Sequence, residues 1–204
     1  YLVDTTVYMY RVTQKPVYGA LSWSEIYRRG IASNDSRNDL IKGIVHSLYS
    51  KGESVLVLVN HLEHGYQLLE KLAEIGVPTL MVQGNDRVTI YSKGVQTVPS
   101  TSSSVRNALL TKKVRSVIAT TVYDEGVDIP TLDTVVNAGG GKSPIKTIQK
   151  AYRPQTKSEG KISAKLVDFI DSTHRSLLRH SDIRKAEYLE EGLKVIELKS
   201  DQLL

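Results

Sequence analysis

Two stretches of this sequence carry residues whose types and spacing suit phosphate chemistry. One is Ala119-Thr-Thr-Val-Tyr-Asp-Glu-Gly-Val-Asp-Ile-Pro130, and the other is Asn137-Ala-Gly-Gly-Gly-Lys-Ser143. Three glycines in a row, ahead of a helix start, can present backbone N–H groups to a phosphate, and Lys142 adds a charge. A glycine turn that only reverses the chain would read the same way. The segment is not a phosphate loop of the G-x-x-x-x-G-K-[ST] kind, because the residue five before Gly141 is Val136. Asp124-Glu125 has the composition of a magnesium-holding acidic pair. Such an Asp caps its strand directly, however, and here Thr-Thr-Val-Tyr separates Ala119 from Asp124. With neither element in place, the chain should not hydrolyse ATP alone. His61 and His64 lie three apart with no third ligand evident, and a solvent-facing role is the plainer reading for both. No G-x-S-x-G, Ser/His pairing or carboxylate pair suggests another chemistry, and no metal site is expected.

Composition narrows the classes further. The 204 residues are 40% hydrophobic, enough for a real core and too apolar for a disordered chain. No apolar run approaches the roughly 20 residues of a membrane span. The opening YLVDTTVYMYRV has no secretory character, and the missing initiator Met suggests a fragment or a partly observed chain. Cysteine is absent, which excludes disulfide scaffolds and cysteine-based zinc sites or nucleophiles and fits a reducing compartment. The net charge is +5, and residues 141–204 hold 13 of the 27 basic residues but only 9 of the 22 acidic ones. A basic segment favours phosphate-rich partners through counterion release, although a solvated surface would look alike.

The elements that must position these residues follow from periodicity. Val7 to Val12 alternates as a strand, 13–22 reads as a loop, and Ser24 with Glu25 could start a short helix. Asp35 to Ser50 has helical spacing in Leu40, Ile41, Ile44, Val45 and Leu48, with Asn34 or Asp35 as N-cap. The run 54–59 is uninterruptedly apolar, as for a strand covered on both faces. Leu62 to Ile75 is a helix that Gly76 can end. Strands are expected at 78–82, 114–119, 134–137, 165–170 and 193–198. Helices are expected at 105–112, from about Pro144, and at 174–191. This alternation predicts an α/β fold, a mostly parallel sheet with helices on both faces. Residues 84–104 interrupt it. Thr89-Ile-Tyr91 could be a small strand, and Gln96 to Ser104 reads as a polar loop. In 174–191, Arg175, Arg179, Arg184 and Lys185 read as a basic, solvated outer face among Leu177, Leu178, Ile183 and Leu189.

The pattern as a whole resembles the second motor lobe of superfamily 2 helicases, of the DEAD/DEAH-like and phage UvsW-like kinds. Ala119, Thr120, Gly126 and Asp128 match motif V with its spacing. Residues 54–72 are similar to motif IV and its helix, and 25–41 to the segment leading into the lobe. The resemblance covers about 24–170, with the 84–104 stretch matching poorly. It implies a RecA-like lobe over 24–171, a lead-in strand and loop over 1–23, and a C-terminal extension over 172–204. It also implies that Asp128 accepts a hydrogen bond from the ATP ribose and that Gly126 lets the backbone approach the nucleotide. Thr120 would hydrogen-bond a phosphate of the nucleic-acid strand, a contact that positions without reading sequence. Asn60 and His61 would touch the same backbone, beside Gly140, Gly141 and Lys142. Gln149 would join the ATP site.

Motif VI departs from the family pattern Q-R-x-G-R-x-x-R, whose arginines reach the ATP γ-phosphate and stabilise the transition state. Here the text is Gln149-Lys-Ala-Tyr-Arg153-Pro-Gln-Thr156. Aligned without gaps, Arg153 is the first arginine, but Tyr152 replaces Gly and Thr156 the second arginine. Aligned from the far side, Arg153-Pro and Glu159-Gly-Lys161 end the motif, and about three residues are missing. Neighbouring Cα separations near 3.8 Å at 149–151 would exclude a break in the chain. The second alignment is preferred, since omitted residues would account for both this gap and the missing Met, and Arg153 is the catalytic candidate.

The resemblance implies half of an ATP cleft in a DNA helicase or translocase, with magnesium held by a first lobe elsewhere in the parent chain. Single- or double-stranded DNA would be the partner, RNA being possible, in the cytoplasm of a bacterial or phage-infected cell. The other reading is a helicase-derived docking module without catalysis.

Overall fold

Val55, Val57 and Val59 face one apolar layer while Leu56 and Leu58, between them, face another. A strand covered on both sides needs no polar alternation, which is why 55–59 is apolar throughout. The structure, a computed structural model, describes residues 4–12, 16–19, 21–83, 87–91, 95–99, 107, 108, 111–120, 132–141 and 163–204. Among these, nine strands form one sheet: β1 (Asp4–Val12), β2 (Val55–Val59), β3 (Thr79–Gln83), β4 (Arg87–Tyr91), β5 (Val95–Pro99), β6 (Ser116–Thr120), β7 (Thr134–Asn137), β8 (Ser163–Asp171) and β9 (Lys194–Leu198). Their order is β5-β4-β3-β6-β2-β7-β8-β1-β9. Seven strands run parallel, and β4 and β5 fold back antiparallel on the β3 edge.

Helices α2 (Asp35–Ser50) and α3 (Leu62–Glu74) cover one face. Ile41, Ile44, Leu48, Leu68 and Leu72 pack there on Val57, Ile118, Val136 and Phe169. Helix α4 (Arg175–Glu190) covers the other, where Tyr188 joins Met9, Leu56, Val135 and Leu166. Helices on both faces of a mostly parallel sheet is the architecture expected from the sequence. Strand β1 lies between β8 and β9, so both ends of the chain complete the same sheet.

Two local expectations are corrected. The polar stretch after Val95 is not all loop, since Val95–Pro99 pairs with β4. An edge strand needs few apolar residues, and Val and Thr are good strand formers whatever their neighbours. The short helix α1 (Trp23–Tyr27) has its N-cap two residues earlier than Ser24. Ser22 is its N-cap, and Ser22 and Glu25 form a reciprocal capping box. From α1 the chain passes into a π-helical turn, Arg28–Ala32, and Asn34 then caps α2 by accepting from the Arg37 N–H.

Candidate nucleic-acid interface at the carboxyl edge

Strands β6, β2 and β7 are adjacent and parallel, so their carboxyl ends open on one edge. Val59 pairs with Thr120 and Leu58 with Asn137. Thr120, the last residue of β6, is half-buried, as is Asn60 just after β2. His61 is the exposed N-cap residue of α3. The glycine loop leaves β7 and turns back over β2, where the Gly139 N–H donates to the Leu58 carbonyl at 2.8 Å. Asn60 Nδ2 and the Tyr27 hydroxyl both donate to the Gly139 carbonyl, at 3.0 and 2.9 Å. The Tyr27 ring meets His61 edge-on at 5.0 Å. Burial pushes the Tyr27 hydroxyl up to about 12, so it stays a neutral donor. Asn60, His61, Thr120, Gly140 and Gly141, identified separately in the sequence, therefore meet at one place.

Beneath the loop lie two buried arginines that periodicity alone does not reveal. Arg37 Nε donates to Asp171 Oδ1 at 2.7 Å, its Nη1 reaches the Ala138 carbonyl at 2.7 Å, and its guanidinium lies 4.6 Å from the Phe169 ring centre. Arg184 grips Asp168 through Nε at 2.8 Å and Nη2 at 3.1 Å. Its Nη1 then reaches the carbonyls of Gly140 and Gly141 at 2.9 and 3.0 Å. Tyr188 and Asn137 also donate to Asp168. Burial pushes the Asp171 carboxyl upward, against the pull of Arg37. Burial disfavours charge on Arg184, but Asp168, Asp171 and Tyr188 together outweigh it and hold the guanidinium above its ordinary range. The carbonyls of Ala138 through Gly141 are thus tied inward, and the loop is fixed in one shape.

That shape explains two of the glycines. Gly140 has φ +59°, and a Cβ there would lie 3.1–3.2 Å from Ile31, Arg37 and Asp171. At Gly139 a Cβ would come within 2.7 Å of Asn60 Oδ1. Gly140→Ala should therefore cost about 1–2 kcal/mol from the left-handed backbone alone, read by urea unfolding. A change inside 0.5 kcal/mol would show that the loop relaxes freely.

The basic stretch 174–191 also departs from expectation. Arg184 is fully buried, not part of a solvated face, whereas Ile183 and Leu189 are 46% and 54% exposed. The buried stripe is Leu177, Ser181, Arg184 and Tyr188, helical in spacing but half polar. Likewise Arg37 continues the Ile41, Ile44 and Leu48 stripe of α2. A charged residue in register with an apolar stripe was the available signal. His64 is a further correction: it is buried, its Nε2 2.9 Å from Asn38 Oδ1. Among the described residues no group of three or more His, Asp or Glu side chains could hold a metal, and no helix is long and apolar enough to cross a membrane. Gly126, Asp128, Lys142, Gln149 and Arg153 lie outside the described residues. So do the pair Asp124-Glu125, the helix expected from Pro144 and the Cα separations at 149–151.

A mostly parallel sheet covered by helices on both faces, with a polar carboxyl edge, is the doubly wound α/β class to which RecA-like lobes belong. The helicase conserved C-terminal domain matches residues 36–155, more than half of the chain, and the protein belongs to that family. Putative helicase 22 of a Sulfolobus islandicus filamentous virus is 28% identical over 135 residues, covering 66% of this chain and 22% of that protein. The putative ATP-dependent DNA helicase fml2 of Schizosaccharomyces pombe is 31% identical over 88 residues, covering 43% and 11%. The chain thus spans less than a quarter of the curated relatives it matches. The fold is shared with T4 UvsW, at TM-score 0.70 and 18% identity over 96% of this chain and 40% of that one. It is also shared with the C-terminal domain of the DEAD-box protein Dbp5, at TM-score 0.61 and 17% identity over 98% and 94%.

Proposed function

We propose that this chain is the C-terminal motor lobe of an ATP-dependent DNA helicase or translocase. The observation that carries the reading is the meeting of Asn60, His61 and Thr120 with the braced glycine loop at one edge, in a chain of this family. The lobe proper is 24–171, with 1–23 and 172–204 as flanks that complete its sheet. Thr120, Asn60, His61, Gly140, Gly141 and Lys142 contact the phosphates of one strand. Such contacts hold the strand without reading its sequence, as translocation requires. Gly126, Asp128 and Gln149 form this lobe's half of the ATP cleft, and Arg153 reaches the γ-phosphate. Magnesium and the phosphate loop belong to a first lobe in the parent protein. DNA is favoured over RNA by the name of the fission-yeast relative, and the viral relative suits a virus- or phage-infected cell.

The isolated chain should bind labelled oligo-dT weakly, with affinity falling steeply as salt rises, and should turn over ATP only at background. Each cationic phosphate contact contributes a log–log slope of about −0.7 on single strands, so Lys142→Ala should flatten the slope by about that much, whereas Thr120→Val should weaken binding with the slope unchanged. Binding indifferent to salt, or robust ATP turnover by the chain alone, would refute the reading. In the parent protein, Asp128→Ala and Arg153→Ala should each abolish strand displacement.

A further inference from the structure

The protein has one tryptophan, and it lies at the surface rather than in the core. Trp23 is 47% exposed at the start of α1. Its ring lies tilted by 46° against His180 of α4, with 4.8 Å between centroids, and tilted against Tyr27 at 6.5 Å. Tyr27 in turn touches His61 at 5.0 Å. Four rings from three elements thus run from α4 to the end of β2, where Asn60 begins the polar edge. The α1 capping box and the Tyr27 hydrogen bond to the glycine loop fix this track to the same loop as the edge. Arg28 and Arg29, which follow Tyr27 in the chain, and Arg179, which precedes His180, are exposed. Burial, with Arg184 and Arg179 nearby, holds His180 below its usual range, so at neutral pH it offers Trp23 an uncharged supporting ring.

We propose that Trp23, braced by His180, is a base-stacking platform for the single nucleic-acid strand whose phosphates cross the carboxyl edge at Asn60, His61 and Thr120. The proposal rests on the nucleic-acid reading of that edge and adds to it a site for bases. A flat π-face next to cations suits an unpaired base and its phosphate, and any base can stack on it, as a sequence-independent motor needs. A duplex, with its bases already stacked, offers no face to Trp23.

The lone tryptophan makes the test direct. Oligo-dT should quench the protein's tryptophan fluorescence in step with the rise in anisotropy of a labelled strand, and duplex DNA of equal length should quench it much less. Trp23→Ala should weaken oligo-dT binding roughly 5- to 100-fold. The slope of affinity against salt should not change, because no cation is lost. Trp23→Phe should keep most of the affinity, and circular dichroism should show both variants folded. Anisotropy that rises with unchanged fluorescence would overturn the platform and leave the phosphate edge standing. Quenching by ATP instead of the strand would overturn it too, by placing an adenine there. If no strand binds at all, the edge reading fails and the platform falls with it.

Discussion

Arg184→Met should lower the free energy of unfolding by about 3–5 kcal/mol, the range for removing one member of a buried ion pair. Arg184 has no exposed surface and satisfies both oxygens of Asp168. Methionine fills similar volume, so the loss is electrostatic rather than a cavity effect. It leaves a buried carboxylate with neutral donors alone, from Tyr188, Asn137 and the Phe169 N–H, and it strips the guanidinium from the carbonyls of Phe169, Gly140 and Gly141. Adding Asp168→Asn to Arg184→Met should recover part of the loss, because the uncompensated charge is then gone. Urea unfolding of the two variants decides it, and a single-variant cost below 1 kcal/mol would sink the argument. The consequence reaches beyond stability. Arg184 lies past the matched family segment 36–155, yet it shapes the glycine loop at the site edge. The C-terminal helix is thus part of the lobe's working structure, not an appendage.

His64 should make the protein lose stability between neutral pH and pH 5 more steeply than a His64→Gln variant does, by about 2 kcal/mol. Asn38 Nδ2 donates to the Ala32 carbonyl, so Asn38 Oδ1 faces His64 and takes its Nε2–H. Nδ1 is then a buried lone pair with no partner among the described residues. Protonation would place an N–H there with nothing to receive it. Burial, then the charges of Arg37 and His61, pushes the imidazole down to about 3. Because the folded value lies below the unfolded value near 6.5, the unfolded chain binds the extra proton in the window between them. Stability is therefore complete above 6.5 and falls as pH drops toward 3. His64→Gln is less stable at pH 7 through repacking, but its gap to the wild type should narrow by about 2 kcal/mol at pH 5. Parallel stability profiles from pH 7 to 5 would show that His64 does not titrate in this way.

The sequence by itself determined the alternation of elements, the parallel sheet and the strand ends that carry polar residues. Those features rest on local chemistry: a short, β-branched apolar run such as 55–59 suits a doubly covered strand, and Asn34 is a strong cap wherever it precedes a helix. Asn60 and Thr120 were legible as site candidates because they end such strands. The edge strand β5 was not, since its pairing depends on β4 lying alongside. Nor were Tyr27, Arg37, Asp168, Asp171 and Arg184. Arg37 and Asp171 are 134 residues apart, Arg184 and Gly140 44 apart. In sequence each arginine reads as a solvated charge, because that is the lower-energy state for a charge without a partner. Only the folded chain brings the carboxylates and loop carbonyls within reach, and only then is an interior position for those charges favourable.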